Sequence, residues 1–156
     1  MSAAEPIKIL PFAAPLKEDI KRLNYEWLEK FFVVEPADVV ALSNPQEEII
    51  DKGGMIFFAQ MNGEVVGTVS LLKKSENIYE VGKMAVTESE QGQGIGRLLL
   101  EHCLKIAIEI SVEKLILYSN RKLVTALRLY EKYGFVEVPM DTDLYARADI
   151  KMERSM

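Results

Sequence analysis

The sequence of 156 residues contains one cysteine, Cys103, and one histidine, His102. A single cysteine excludes an internal disulfide framework and is typical of a protein in a reducing cytoplasm. With so few sulfur and imidazole ligands, we expect no structural metal site. The apolar runs are too short to cross a bilayer, and the N-terminus lacks the pattern of a signal peptide. These absences predict a cytoplasmic protein that has no membrane partner.

The sequence also lacks an excess of positive charge. Its formal net charge is −5, which argues against broad nucleic-acid binding. The length is typical of one folded unit, and we expect residues 1–156 to form a single domain. Basic residues nevertheless outnumber acidic ones between positions 91 and 132, whereas acidic residues dominate on both sides. This distribution favours a small polyanionic ligand near that segment.

A glycine-rich segment, Gln91-Gly92-Gln93-Gly94-Ile95-Gly96, separates a β-prone run from an apolar-periodic one. Exposed backbone amides at the start of a helix form a ready site for a phosphate group. A mononucleotide P-loop would continue with Lys and Ser or Thr, but Arg97 and Leu98 follow Gly96. The dinucleotide fingerprint would require glycine in place of Arg97. The segment therefore predicts a phosphate site that is neither a P-loop nor a dinucleotide-binding loop.

Hydrophobic periodicity and turn residues predict a mixed α+β fold with one βαβ crossover around the glycine-rich segment. Helices are predicted at 16–32, 95–110 and 123–133, with brief helical pieces at 39–42 and 46–50. Strands are predicted at 7–10, 55–60, 65–71, 78–86, 114–118, 135–138 and 144–152. Asn62-Gly63 predicts a hairpin between two of these strands. The predicted core stripe of the long helix consists of Ile95, Leu98, Leu99, Cys103, Ile106 and Ile110.

Three sequence blocks occur in an informative order and spacing. The first runs from Gly82 through the Gln-x-x-Gly-x-Gly segment to Leu99, the second is Leu117-Tyr118-Ser119-Asn120, and the third spans 126–135. Together they resemble the Gcn5-related N-acetyltransferases. This resemblance implies a GNAT acyl-CoA N-acyltransferase fold, in which helices flank a central, mostly antiparallel sheet. It also implies an acetyl-CoA-dependent N-acetyltransferase.

The resemblance further implies which residues bind the cofactor. The glycine-rich segment would hold the pyrophosphate of coenzyme A through backbone amides, and Arg97 would add positive charge. The preceding strand would pair with the pantetheine arm, and Asn120 would contact the amide or cysteamine end. The full implied set is Met84, Ala85, Val86, Gln91, Gly92, Gln93, Gly94, Ile95, Gly96, Arg97 and Asn120.

Two residues match the catalytic positions of the family. Tyr130, ten residues after Asn120, matches the general acid that protonates the departing thiolate, since a phenol with a pKa of about 10 is protonated at neutral pH. The alternatives are a packed core tyrosine and a tyrosine that only orients the sulfur. Glu80, six residues before Val86, has the offset of the glutamate base of the histone-acetylating branch. Its alternatives are a base acting through a water molecule and a solvent-facing carboxylate.

The acceptor is less determined than the cofactor. The resemblance allows a small-molecule amine or a protein amine, and the acidic first half favours a small cationic molecule. Acceptor-site candidates on the first long helix are Asn24, Tyr25 and Glu29. No nucleophile for an acetyl-enzyme is evident, because adjacent His102 and Cys103 diverge on a helix, so we expect direct transfer in a ternary complex.

Several alternatives stay open at this point. A non-catalytic acyl-CoA-binding or sensor module would keep the same fold, and an enzyme could use a longer acyl-CoA. The resemblance also allows a homodimer, although nothing in 144–152 requires one. Lys83 and Tyr133 depart from the family pattern without threatening the fold.

Overall fold

The computed structural model of the protein describes residues 6–142 and 145–156. Seven strands form one sheet: β1 Lys8–Pro11, β2 Met55–Met61, β3 Glu64–Lys73, β4 Ile78–Val86, β5 Lys114–Ser119, β6 Val136–Val138 and β7 Ile150–Ser155. The α-helices are α1 Lys17–Phe31, α2 Pro36–Ser43, α3 Ile95–Glu109 and α4 Val124–Lys132. A π-helical turn, Gln46–Ile50, and two 3₁₀ turns, Ala14–Leu16 and Glu88–Glu90, complete the elements of these residues.

The strand order is β1-β2-β3-β4-β5-β7-β6. Among the described strands, only β4 and β5 pair in parallel, and α3 connects them, which confirms the predicted mixed fold and its single crossover. The hairpin predicted at Asn62-Gly63 joins β2 to β3. Both residues have positive φ, 53° and 80°, as the tightest hairpin turns require.

Three details of the sequence prediction are wrong. The helical piece predicted at 39–42 is part of a longer helix, α2, which spans Pro36–Ser43. The last strand begins at Ile150 rather than at 144; residues 145–149 form a turn, and Leu144 and Asp143 lie outside the described residues. Ile110 was assigned to the core stripe of α3, but it follows the last residue of the helix and is 43% exposed. Periodicity cannot detect this end, because Ile108 and Ile110 are apolar and yet face solvent.

The sheet separates two apolar clusters. On one face, α3 and α4 pack against the sheet through buried residues such as Leu99, Cys103 and Tyr130. On the other face, α1 and α2 pack through Ile20, Leu28, Leu42 and others. A site that crosses the sheet is therefore lined by α3 and α4 on one face and by α1 and α2 on the other.

The parallel pair β4–β5 is short. Its ladder ends at the pairing of Glu80 with Ile116, after which β4 pairs only with β3 and β5 pairs only with β7. Beyond Glu80, β4 carries a bulge, because Lys83 and Met84 stand where β3 offers only Val69. A bulge bends a strand and increases its twist. The two central strands thus splay apart at the carboxyl end of the ladder.

Candidate active site

A cleft of about 730 Å³ passes through the opening between β4 and β5. At one end it is lined by the glycine-rich segment and the first turn of α3. Glu80, Tyr118 and Tyr130 line its middle, and Trp27, Phe32 and Arg147 line the end beneath α1. We call these ends the loop half and the helix half of the cleft. Because strand pairing stops at Glu80, the cleft exists as a consequence of the sheet topology.

Exposed backbone amides dominate the loop half. Within residues 6–142 and 145–156, none of the backbone N–H groups from Gly92 to Arg97 donates a hydrogen bond to another protein group. Gly92 and Gly94 have φ of 85° and 80°, left-handed values that favour glycine. Gly94 is the residue that directly precedes α3, so the amides lie at the positive end of the helix dipole. This arrangement can bind a phosphate group.

Side chains hold the loop in this shape. The Gln91 side-chain amide donates to the Val86 carbonyl at 3.1 Å, which ties the loop to the end of β4. The Gln93 amide donates to a Glu90 carboxylate oxygen at 2.6 Å. Arg97 lies 3.4 Å from Glu101, one turn further along α3. The side-chain hydrogen bonds of both glutamines therefore lie within the loop and at its junction with β4.

The cleft brings together nearly all of the residues named from the sequence. Glu80 and Tyr130 line it, as do all of the cofactor candidates except Gln93. Asn24 also lines it, whereas Tyr25 and Glu29 do not. Asn24 is buried and donates to the Ile20 carbonyl at 2.9 Å and to the Lys83 carbonyl at 3.2 Å, so it holds the bulge of β4 against α1.

Tyr130 is buried where α4 meets the cleft, and its ring packs edge-on to Phe135 with centroids 6.0 Å apart. Burial, with a smaller contribution from Cys103, raises the pKa of Tyr130 to about 12. Among the described residues its hydroxyl has no hydrogen-bond partner. The phenol is therefore a protonated donor that lacks a protein acceptor and borders the cleft.

Glu80 is the acidic group at the point where β4 and β5 part. Burial raises the pKa of Glu80 above its usual value, and the positive charges of Lys74 and Lys83 offset part of this effect. Its carboxylate lies 3.5 Å from the ammonium of Lys74. A buried carboxyl with a raised pKa is closer to the basicity that proton abstraction near neutral pH requires.

Asn120 directly follows β5, and both polar atoms of its side chain form hydrogen bonds with nearby backbone groups. Its amide nitrogen donates to the Arg147 carbonyl at 2.6 Å, and its oxygen accepts from the backbone amide of Lys122 at 2.9 Å. It thereby anchors the turn 145–149 beside the cleft. On the same strand, the Tyr118 hydroxyl donates to Asp141 at 2.8 Å.

Sequence reasoning missed Arg147, which organises the helix half. Its guanidinium donates to both oxygens of Asp38, at 2.7 and 2.6 Å, and to Glu35 at 3.1 Å. Burial alone would raise the pKa of Asp38, but hydrogen bonds from Arg147 and from the Glu35 backbone hold it below its usual value. The turn 145–149 is thus fastened to α2. No motif marks Arg147, and only its tertiary contacts do.

Cys103 and His102 lie outside the cleft. Cys103 is fully buried in α3, and burial raises the pKa of its thiol, so it stays protonated. His102 packs its ring on Phe57, with ring centres 4.5 Å apart. In the part of the chain that the structure describes, no group of three His, Cys, Asp or Glu residues could hold a metal ion. No helix there is long and apolar enough to cross a membrane.

Comparisons with known proteins agree on one family. The sequence profile of the Acetyltransferase (GNAT) family matches residues 20–135. The chain is 27% identical over 113 residues to the uncharacterized N-acetyltransferase YvbK of Bacillus subtilis (strain 168). The aligned region covers 70% of this chain and 73% of the relative.

Solved structures are similar over nearly the whole chain. A GNAT-family acetyltransferase from Staphylococcus aureus Mu50 superposes with a TM-score of 0.86 at 21% identity, covering 96% of this chain and 99% of that one. A GNAT-family acetyltransferase from Elizabethkingia anophelis, with acetyl-CoA bound, superposes with a TM-score of 0.67 at 23% identity, covering 96% and 98%. At these identities the superpositions show a common fold.

Proposed function

The chain belongs to the GNAT family of acetyltransferases, and on that basis we propose that it moves the acetyl group of acetyl-CoA to a primary amine of a small molecule. Transfer is direct, with both substrates bound in the one cleft. The observation that carries this proposal is the position of Glu80 and Tyr130 between the free amides of the loop half and the apolar helix half. The reaction takes place in the cytoplasm, where the single thiol, Cys103, stays reduced.

The residues of the loop half suit coenzyme A. The free amides from Gly92 to Arg97 would hold its pyrophosphate, and the guanidinium of Arg97 would add charge. The segment of β4 from Met84 to Val86 has no strand partner on its cleft side, so it would offer backbone groups to the pantetheine amides. When bound, acetyl-CoA supplies an acyl group on a good leaving group, a thiolate.

Glu80 and Tyr130 are assigned complementary proton transfers. Glu80 accepts a proton from the acceptor amine, directly or through a water molecule, as the nitrogen forms its bond to the acyl carbon. Tyr130 donates its hydroxyl proton to the sulfur as the carbon–sulfur bond breaks. The raised pKa of each group supports its role, because it makes Glu80 a stronger base and keeps Tyr130 protonated.

A small acceptor is favoured over a protein chain by the enclosure of the helix half. The C-terminal turn of α1 and the turn that carries Arg147 both line the cleft, and the Arg147 guanidinium lies 5.8 Å from the centre of the Trp27 ring. Arg147 and the amide of Ala146 both bind Glu35, which secures this turn next to α2. An extended peptide would require an open groove here.

A screen of primary amines with acetyl-CoA and a thiol-release readout tests the proposed function. We expect turnover with at least one class of small amine and little thiol release in the absence of an amine. If only peptides were acetylated, the acceptor would be a protein amine and not a small molecule. Binding of acetyl-CoA without turnover of any amine or peptide would favour the non-catalytic acyl-CoA-binding module. Comparison of acetyl-, propionyl- and succinyl-CoA in the same assay defines the donor.

The loop half gives a second, independent prediction. Gly92→Ala is expected to weaken coenzyme A binding about 10-fold, because a side chain disfavours φ of 85° and a shift of the backbone misplaces the free amides. Gly63→Ala is the matched control: Gly63 has φ of 80°, and an added methyl group meets nothing within 4 Å at either position. Both variants should lose similar thermal stability, but only Gly92→Ala should raise the coenzyme A Kd in calorimetric titration. Equal Kd values in the two variants would contradict the phosphate assignment.

A further inference from the structure

Lys83 is placed unusually on the floor of the helix half. It forms part of the bulge of β4 and has φ of 53°, a left-handed value that is uncommon for a residue with a side chain. Such local strain is found most often where the backbone aims a side chain into a functional site. The Lys83 ammonium donates to the Tyr145 hydroxyl at 2.6 Å and lies 4.6 Å from the centre of that ring. Both residues line the cleft.

The charge of Lys83 is not matched by an ion pair. Among the described residues, its ammonium forms no salt bridge with a carboxylate, and the contact with Tyr145 uses one of its three N–H donors. Lys122, at the rim, likewise forms no salt bridge in the described chain; its ammonium lies 5.6 Å from the centre of the Phe32 ring. The helix half therefore presents two ammonium groups that can bind an anion.

The carboxylates near this half are already engaged. Asp38 and Glu35 bind Arg147, and Glu80 lies beside Lys74. Among residues 6–142 and 145–156, a cationic acceptor would find no uncommitted carboxylate in the helix half, and it would meet the charge of Lys83. The acidic first half of the sequence, which favoured a cationic acceptor, is therefore a poor guide to the charge of the site.

Apolar surface adjoins the two ammonium groups. Trp27, Phe31 and Phe32 line the helix half from the end of α1. Trp27 and Phe32 pack edge to face with centroids 5.9 Å apart, and Phe31 is 51% exposed at the mouth of the cleft. Aromatic side chains that line a pocket are the usual contacts of an apolar part of a ligand.

We propose that the acceptor is a small amine that also carries a carboxylate and an apolar body, as an apolar α-amino acid does, and that Lys83 binds the carboxylate. The assignment rests on the proposed function and names the substrate class of the same cleft. The apolar body lies against Phe31 and Phe32, and the amine is directed to Glu80. Glu80 and Lys83 are three positions apart on β4 and both line the cleft, which suits a ligand whose amine and carboxylate are on one carbon.

Matched substrates test the proposal. The substrates are L-phenylalanine with phenethylamine and L-leucine with 3-methylbutylamine, each pair differing by one carboxylate. We expect Lys83→Met to lower kcat/KM for the amino acid at least 10-fold more than for its decarboxylated partner, as loss of a charge-assisted hydrogen bond implies. Comparing the ratio between proteins cancels the intrinsic reactivity of each amine. Lys105→Met, an exposed lysine of α3 outside the cleft, should leave the ratio unchanged.

One further variant and a binding assay serve as controls for this test. Lys83→Arg keeps the charge and should retain part of the preference, which separates loss of the anchor from damage to the fold. Thermal shift of the chain with coenzyme A and L-phenylalanine should show saturable stabilisation in the wild type and none in Lys83→Met.

Several outcomes would overturn the proposal. They are an equal effect of Lys83→Met on both members of each pair, a wild-type preference for the decarboxylated amines or for spermidine, and Lys83-independent binding of the amino acid. The proposed function fails separately: in that case, no amine with or without a carboxylate is acetylated.

Discussion

Tyr130→Phe is expected to lower kcat at least 100-fold while acetyl-CoA binding is retained, because removal of a general acid typically costs about 10²- to 10⁴-fold. The substitution removes one hydroxyl and keeps the ring, so packing against Phe135 persists. The hydroxyl has no protein partner in the described chain, and its loss should therefore leave the melting temperature nearly unchanged. Steady-state kinetics, with calorimetric titration of coenzyme A, measures both effects.

Tyr133→Phe provides the matched control. Tyr133 directly follows α4, but its hydroxyl donates to Glu101 at 2.6 Å and lies outside the residues that line the cleft. This variant should keep wild-type kcat. A Tyr130→Phe enzyme with wild-type kcat would show that Tyr130 is a packing residue. Since the pKa of Tyr130 is raised to about 12, the wild-type rate should also not fall through loss of this proton below about pH 11.

Glu80→Gln is expected to lower kcat/KM about 100-fold near neutral pH and to change the pH profile. Without the base, the amine must lose its proton to solvent, so the rate of the variant should climb with pH toward the amine pKa of about 10. The activity gap between variant and wild type should therefore narrow at alkaline pH. An unchanged rate and an unchanged pH profile would contradict the assignment of Glu80 as the base.

The same substitution should stabilise the fold. Burial raises the folded-state pKa of Glu80 above its unfolded value, so the stability contributed by the protonated carboxyl is complete below the unfolded pKa and is lost as pH rises through the folded pKa. At neutral pH an uncharged glutamine avoids this loss. We expect the melting temperature of Glu80→Gln to exceed that of the wild type by a few degrees at pH 7, with a smaller difference at acid pH. For a chain of this size, about 1 kcal/mol corresponds to about 2–4 °C.

Glu76→Gln is the control for both effects. Glu76 precedes β4, pairs with Lys73 and has a side chain that is 87% exposed. Its loss should change neither the pH profile of the rate nor the melting temperature by a measurable amount. A melting temperature of Glu80→Gln below that of the wild type would mean that the ion pair with Lys74 outweighs the cost of burying the charge.

Local sequence predicted much of the architecture. The bounds of β4 and of the π-helical turn agree with prediction, and those of α1 and α3 agree to within one residue at each end. The glycine-rich segment was correctly predicted at the start of a helix, because the glycine pattern and the helical periodicity that follows it can both be read from neighbouring residues. The start of the last strand was predicted too early, because residues 145–149 form a turn that is held by hydrogen bonds to Glu35 and to Asp38 of α2.

The roles of single side chains were harder to predict. Gln91 and Asn120 belong to the blocks that identify the family, yet their side chains bind protein backbone in this structure. Asn24 was named as an acceptor candidate, and it holds the bulge that carries Lys83. Arg147 had no sequence signal, since an isolated arginine in a turn has no periodicity and its partners are more than 100 positions away.

The sequence by itself determined the family, the order of the elements and the position of the glycine-rich segment at a helix start, because these depend on hydrophobic period, turn residues and local spacing. Tertiary structure alone decided which charges are free. Lys83 and Arg147 are both cations beside the cleft. Within the described chain, the distant Asp38 and Glu35 pair with Arg147, whereas no carboxylate pairs with Lys83. Net charge along a chain does not report this pairing, since an ion pair depends on distances in space.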